Sequence, residues 1–570
     1  MVKFLLGLAT GVILVFLTIF LLFFSLLRLR EKPPEIADNS VLVLRVQGEL
    51  PEKAPLELPD FLTSAPQTVT MTSIWRSLEA AAGDPHIRAV VVQPEGISAG
   101  WAKLQEIRMD LDKFRKSGKP VFAYLRQPGA REYYLACGAD RLIMGPSEPL
   151  MLKGLRAEIM YFKKTLDKLG VSVEVEHAGK YKDFGDMFTR TDMSPETREV
   201  TNVLVDNLYA NLVDGIAAGR KKSADEVRAI IDQGPFTAPQ ALKAGLVDAL
   251  LFEDQMWGEL KDRLKNGDPR KVTLSTYSKV PPPGAKNQIA VVIGQGDIVR
   301  GNPGDDGAGE TMLTSYGFNH LLKLVENDSM VKGVVVRIDS PGGEVTASDE
   351  IWRQMNLLSK KKPVVISMSD AAASGGYFMA MTGDPIVAYP GTVTGSIGVV
   401  FGKPNLHGLY DKLGVSKDSV QRGRHADIDS DYTPLSPDER QTLKEGIDES
   451  YRDFVGKVAA ARHRKFEEIE PLAQGRVWLG SQAKENGLVD QIGGLDRALE
   501  LVKQKAKIPA GEKVGILMYP GKRSILDLVM KKSQEDVVEV KMRQVMGRVP
   551  FHAWMKGGYL RILPFVFEMR

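Results

Sequence analysis

The string DKLGVS occurs twice in this chain, at Asp167–Ser172 and Asp411–Ser416, 244 residues apart, and the likeness extends well beyond it. AVVV from Ala89 answers GVVV from Gly333 at the same offset, and KPV from Lys119 answers KPV from Lys362 at 243. SP at Ser194 and GLVD at Gly245 answer SP at Ser436 and GLVD at Gly487 at 242. An offset that drifts by two residues over most of a domain marks a duplication, so the chain must be two copies of one fold. Each copy alternates short β-branched runs (VLVLRV, AVVVQ; IAVVIG, GVVVRI, PVVISM) with helical patterns such as AKLQEIRMDLDKFRKS and SDEIWRQMNLLSKK. That alternation predicts parallel strands crossed over by helices, an α/β layered fold. The expected units are a first copy over 38–276, a Pro-rich linker YSKVPPPGAKN over 277–287, a second copy over 288–510, and an extension over 511–570. The extension has no evident counterpart in the first copy; its basic residues and apolar end, YLRILPFVF, read as a subunit or membrane-surface contact.

At 570 residues and 43% hydrophobic, the chain can bury several cores. Its 75 basic and 72 acidic residues leave a net charge of +3, which gives no ground for a nucleic-acid partner. The single cysteine, Cys137, excludes an intramolecular disulfide and a Cys-rich metal site, and reads as core filler. Phe4 to Leu27 is a run of 24 uncharged residues (27 − 4 + 1), long enough for a transmembrane helix and longer than the apolar region of about 7–15 residues in a cleaved signal peptide. Lys3 flanks one side and Arg28, Arg30 and Lys32 the other, so counting positive charges does not favour an exported C-terminus.

Two Gly-rich loops of the second copy sit where strands give way to helices: DSPGGEV after GVVVRI, and SDAAASGGYFMA after PVVISM. Such junctions expose backbone N–H groups that can bind developing negative charge, although Gly-Gly loops also serve as plain tight turns. Ser374 stands among small residues just before Gly375, with its hydroxyl open and the next N–H available; Gly342 or Gly343 of the first loop could supply a second donor. A serine needs a base. None of the seven histidines (His86, His177, His320, His407, His425, His463, His552) sits in a recognisable Ser-His-Asp motif. A lysine serves only if burial or a neighbouring cation favours its neutral form. In HAGKYKDF, Lys180 and Lys182 lie two apart and would share a face in extended chain.

The region from about Val41 to Ala506 resembles signal peptide peptidase A, or protease IV, in its long two-repeat bacterial form. The motifs that carry the likeness are DSPGG (339–343), AASGGY (372–377), GTVTGSIGV (391–399) and GKYK (179–182). The resemblance implies two tandem ClpP/crotonase-like spiral repeats behind one N-terminal transmembrane helix, with Ser374 as nucleophile and Lys182 as base. It also implies an oxyanion hole from Gly342 or Gly343 with Gly375, no metal or cofactor, and peptide substrates such as cleaved signal peptides. A homotetramer on the bacterial inner membrane, with the catalytic region in the periplasm, follows from the same likeness. Thr394 and Ser396 of GTVTGSIG are candidates for orienting the amine.

The duplication supplies a separate argument. Opposite Ser374, offsets of 243 and 244 give Arg131 and Ala130; opposite Lys182, 244 gives Ala426. Each copy keeps one half of the pair, as one site shared by two duplicated halves would leave. QPEGISAG stands in the first copy where RIDSPGGE stands in the second, so the anion loop there is degenerate. One feature departs from the better-known long members: Asp183 and Phe184 follow the lysine, where those members have Ser-Ala, and an adjacent carboxylate would favour a charged amine. Two other classes compete, a crotonase-type acyl-CoA enzyme and a proteolytically inert membrane scaffold.

Overall fold

The computed structural model describes residues 33–53, 68–265, 267–282, 284–301, 312–521, 559–562 and 568–569, with single positions among the first 18. The apolar stretch 4–27 lies almost wholly outside the described residues; among those described, no helix is long and apolar enough to cross a membrane.

Both copies build the same six-stranded order. Across the first sheet run Ala249–Leu250, Arg141–Met144, Val121–Leu125, Ile87–Ile97, Ser40–Gly48 and Arg270–Thr273. Across the second run Gln491–Ile492, Ile386–Ala388, Val364–Ala373, Val331–Ser340, Asn287–Gln295 and Val514–Tyr519. Every neighbouring pair in these two orders is parallel; the second sheet carries in addition Val393–Gly395, parallel to the end of Val364–Ala373 and antiparallel to Val477–Leu479. Parallel neighbours need crossovers, which the helices Trp101–Lys116 and Val345–Lys361 supply, and helices on the faces leave the central strands buried and mostly apolar.

The second copy runs past the expected boundary at 510. Val514–Tyr519 pairs with the first strand of its copy as Arg270–Thr273 pairs with the first strand of the other. The sequence holds little trace of it: in the register of the two sheets Lys271 and Val272 answer Ile516 and Leu517, with no residue shared. Farther along the extension, Tyr559–Ile562 lies antiparallel to both Gly342–Glu344 and Val399–Asn405, on the chain's own second copy.

Strand pairing and buried charge both join the copies. Ser172–Ala178 of the first pairs antiparallel with Val399–Asn405 of the second over seven residues. Behind it runs a seam of buried charge. Arg337 of the second copy, 1% exposed, donates to Glu52 at 2.9 Å and to Glu106, both from the first, and to Ser367 at 2.9 Å. Glu106 also accepts the Leu495 N–H at 2.9 Å, and Glu52 accepts from Ser369. An ion triad out of water is held together by the cost of exposing any one member alone. Arg337→Met is therefore expected to lower the unfolding free energy by roughly 3–5 kcal/mol, because it leaves two carboxylates buried without their cation. Chemical denaturation checks this, and a loss within experimental error of zero would mean that the seam is solvated.

Candidate active site

The cross-copy strand delivers a lysine. After Ala178 the chain turns at Gly179 (φ +103) and runs beside residues 474–476 of the second copy, where the Tyr181 N–H donates to the Gln474 carbonyl at 2.8 Å. The fit is close: a Cβ on Gly475 would stand 2.6 Å from the Cβ of Lys182, and one on Gly398 3.1 Å from its Cδ. Because of the turn, Lys180 and Lys182 do not share a face. Lys180 is exposed over the Tyr181 ring, whereas Lys182 is wholly buried.

Lys182 Nζ donates to Ser374 Oγ at 2.7 Å, to Ser396 Oγ at 2.9 Å and to the Ser396 carbonyl at 3.0 Å. All three acceptors are uncharged, and both serines are buried with the lysine. Ser374 joins the strand Val364–Ala373 to the short helix Gly375–Met379 in a conformation (φ 53°, ψ −113°) that non-glycine residues seldom adopt. Such strain persists only where surroundings enforce it; here the Ser374 N–H is tied to the Gly395 carbonyl and its carbonyl to the Phe378 N–H, each at 2.8 Å. Ser396 is likewise at positive φ (53°), which turns its carbonyl and hydroxyl toward one amine. Thr394, the other candidate for orienting that amine, instead donates to the Ala372 carbonyl at 2.8 Å.

The two Gly-rich loops meet at this serine. Gly376 packs so tightly on the Ser340 carbonyl that a Cβ would stand 2.7 Å from it, and a Cβ on Gly343 would overlap the Ile298 carbonyl. Gly342, at φ +110, has its N–H on Ser340 Oγ at 3.2 Å, and Gly375 opens the helix that follows Ser374. In the first copy the corresponding ground is taken by a side chain. Glu132 accepts the N–H groups of Ile97, at 2.7 Å, and of Gly129, at 3.0 Å, so an internal carboxylate ties the two corresponding loops of the first copy together.

Beside the lysine, Phe184, Met187, Phe188 and Val400 form an apolar cluster into which Leu560 of the extension is packed. Sequence reasoning missed this cluster and the glycines that admit Lys182. The repeat offered one signal, since Gln474-Gly475 recurs Gln233-Gly234 at offset 241, and Gly234 also packs directly on backbone, that of Leu152. Cys137 is buried, as its apolar surroundings suggest, but also takes a hydrogen bond from Arg108 at 3.2 Å.

Comparison with known proteins agrees with the duplication. The family model described as peptidase family S49 matches residues 113–266 and again 356–509, an offset of 243. The Clp protease model matches residues 310–392, which include both strands that lead to the Gly-rich loops. A chloroplastic serine protease SPPA of Arabidopsis thaliana is 35% identical over 496 residues, covering 85% of this chain and 71% of that protein. Protease 4 of Salmonella typhi is 33% identical over 501 residues (85% and 79%), and protease 4 of Haemophilus influenzae 29% over 500 (83% and 80%).

Asp183 turns away from the amine that it follows. Its carboxylate accepts from Thr197, in the first turn of the helix Pro195–Arg220, and its other oxygen is buried without a partner. Burial, reinforced by nearby Asp186, pushes its pKa up to about 7 against the Thr197 hydrogen bond and the weaker pull of Lys182. A carboxyl raised from an ordinary 3.8 stabilises the fold fully below that value, and its contribution is lost as pH rises through about 7. Asp183→Asn is thus expected to gain stability over the parent between pH 5 and pH 8, by on the order of 1–3 kcal/mol. Urea denaturation at the two pH values reads this directly, and an unchanged difference would place the titration elsewhere.

Proposed function

The chain belongs to peptidase family S49 and is a serine-type peptidase, and from that premise we propose that it cuts peptides by acyl transfer, with Ser374 as nucleophile and Lys182 as general base. The observation that carries this reading is the 2.7 Å contact between Lys182 Nζ and Ser374 Oγ, both buried and each from a different copy. Burial strips an amine of the water that favours its charged form, and the hydrogen bonds of this one run to the neutral oxygens of Ser374 and Ser396. Ser396 fixes the direction of that amine through two hydrogen bonds, leaving its remaining capacity to Ser374.

In the proposed reaction the neutral amine takes the Ser374 proton as Oγ adds to the scissile carbonyl. The oxyanion is held by N–H groups of Gly375 and of the Gly342–Gly343 pair, with the substrate oxygen replacing Ser340 Oγ as the partner of Gly342. Lys182 then gives the proton to the leaving amine, and water, activated by the same lysine, releases the acyl group. No cofactor enters this scheme.

An extended peptide would lie where Tyr559–Ile562 lies, paired with Gly342–Glu344 on one side and Val399–Asn405 on the other. The apolar cluster that receives Leu560 suits substrates rich in large apolar side chains, and cleaved signal peptides are of that class. The uncharged stretch 4–27 supports a single-pass anchor. The resemblance to signal peptide peptidase A extends the proposal to a homotetramer on the bacterial inner membrane with the site in the periplasm.

The full chain in detergent is expected to cleave an apolar fluorogenic peptide, and Ser374→Ala and Lys182→Ala each to lose at least about 100-fold in kcat while keeping the parent's size-exclusion profile. Retained activity in Lys182→Ala alone would move the base to another residue. Retained activity in Ser374→Ala would end the reading.

A further inference from the structure

Both loops of the site start from an aspartate, and one lysine of the first copy holds the two. Lys103 Nζ lies 2.7 Å from Asp339 and 3.7 Å from Asp370. Asp339 immediately precedes the Ser340–Gly343 loop, and Asp370 stands four residues before Ser374. Asp370 also caps the first-copy helix Trp101–Lys116 from outside: its carboxylate accepts the Gly100 N–H at 2.7 Å and the Lys103 N–H at 3.0 Å. Asp339 accepts the Ala371 N–H at 3.2 Å and so ties its own strand to that of Asp370. There is no slack, since a Cβ on Gly100 would come within 2.5 Å of the Asp370 carboxyl carbon. Burial alone would lower the Lys103 pKa, but Asp339, Asp370 and Glu52 outweigh it and hold the ammonium above the ordinary lysine range, so this lysine stays charged while the site works.

We propose that Lys103 is a positioning residue of the peptidase: through Asp339 and Asp370 it sets the spacing between the oxyanion loop and Ser374. The inference rests on Ser374 being the nucleophile. Two carboxylates on neighbouring strands repel, and the cation between them, together with the helix N-terminus on Asp370, turns repulsion into a fixed distance. Displacements of an ångström or less at reacting groups are enough to slow an acyl transfer. The first copy thus contributes Lys182 to the chemistry and Lys103 to the geometry in which that chemistry occurs.

The test compares Lys103→Met, Lys103→Arg, Asp339→Asn and Gly100→Ala with the parent in the full chain, reading kcat, KM and melting temperature on the apolar fluorogenic peptide. Lys103→Met is expected to lose about 10–100-fold in kcat with KM within about twofold, and Lys103→Arg to recover most of it. Gly100→Ala, which displaces Asp370 and keeps the lysine, is expected to lose kcat in the same way. Should Lys103→Met fail to fold, Gly100→Ala and Asp339→Asn carry the comparison. The proposal is overturned if folded Lys103→Met keeps kcat within about threefold of the parent, or if Lys103→Arg recovers none of the loss. Ser374→Ala run alongside separates the two readings: an active Ser374→Ala removes the nucleophile, whereas a dead one beside fully active clamp variants removes the clamp alone.

Discussion

Seven residues of antiparallel pairing between Ser172–Ala178 and Val399–Asn405 carry a side chain of one copy into the serine loop of the other. A slip of one residue in such a ladder turns every side chain to the opposite face, so backbone register sets where the next residues can go. At the end of the ladder, Gly179 permits the turn and Gly475 the close passage that leave Lys182 facing Ser374 and Ser396. The contact of Lys182 with Ser374 therefore depends on a sheet pairing between duplicated halves, and neither half holds the pair alone.

That contact is backed by charge at two depths. Arg337 with Glu52 and Glu106 lies fully out of water, and Lys103 with Asp339 and Asp370 lies nearer the loops. In each case one copy supplies the cation and the other the carboxylates, so separating the halves would expose unpaired ions on both. The division of labour is also visible in what the first copy no longer offers. Glu132 ties together the first-copy loops that correspond to the Gly-rich loops of the second, and the first copy extends Lys182 and Lys103 across the contact.

Much of this was legible in the sequence, because duplication leaves a record that composition does not. The offset of 242–244 located both copies, the β-branched runs located the central strands, and the complementary loss at Ser374 and Lys182 pointed to one shared pair. What stayed hidden depends on contacts between residues far apart in sequence. Nothing local to GKYK announces that Gly179 turns the chain and separates Lys180 from Lys182. Asp183 looks like a partner for its neighbour until Thr197, on the next helix, is seen to take its carboxylate. Thr394 and Ser396 were equal candidates within GTVTGSIG, and the fold separates them: Ser396, at positive φ, meets the amine while Thr394 donates to Ala372. The last strand of the second copy escaped because none of its residues repeats the one that holds its place in the first copy.

The central claim is that a lysine from one copy activates a serine of the other, and the rate of covalent modification tests it without requiring a known substrate. Full-length protein and Lys182→Met would be exposed to a fluorophosphonate across pH 6–9, with the modified peptide identified by mass spectrometry. The account predicts modification of the parent at Ser374, at a rate that rises with pH as an amine loses its proton, and a rate lower by at least about 100-fold in Lys182→Met. Equal rates in the two proteins, or modification of a serine other than Ser374, would contradict it.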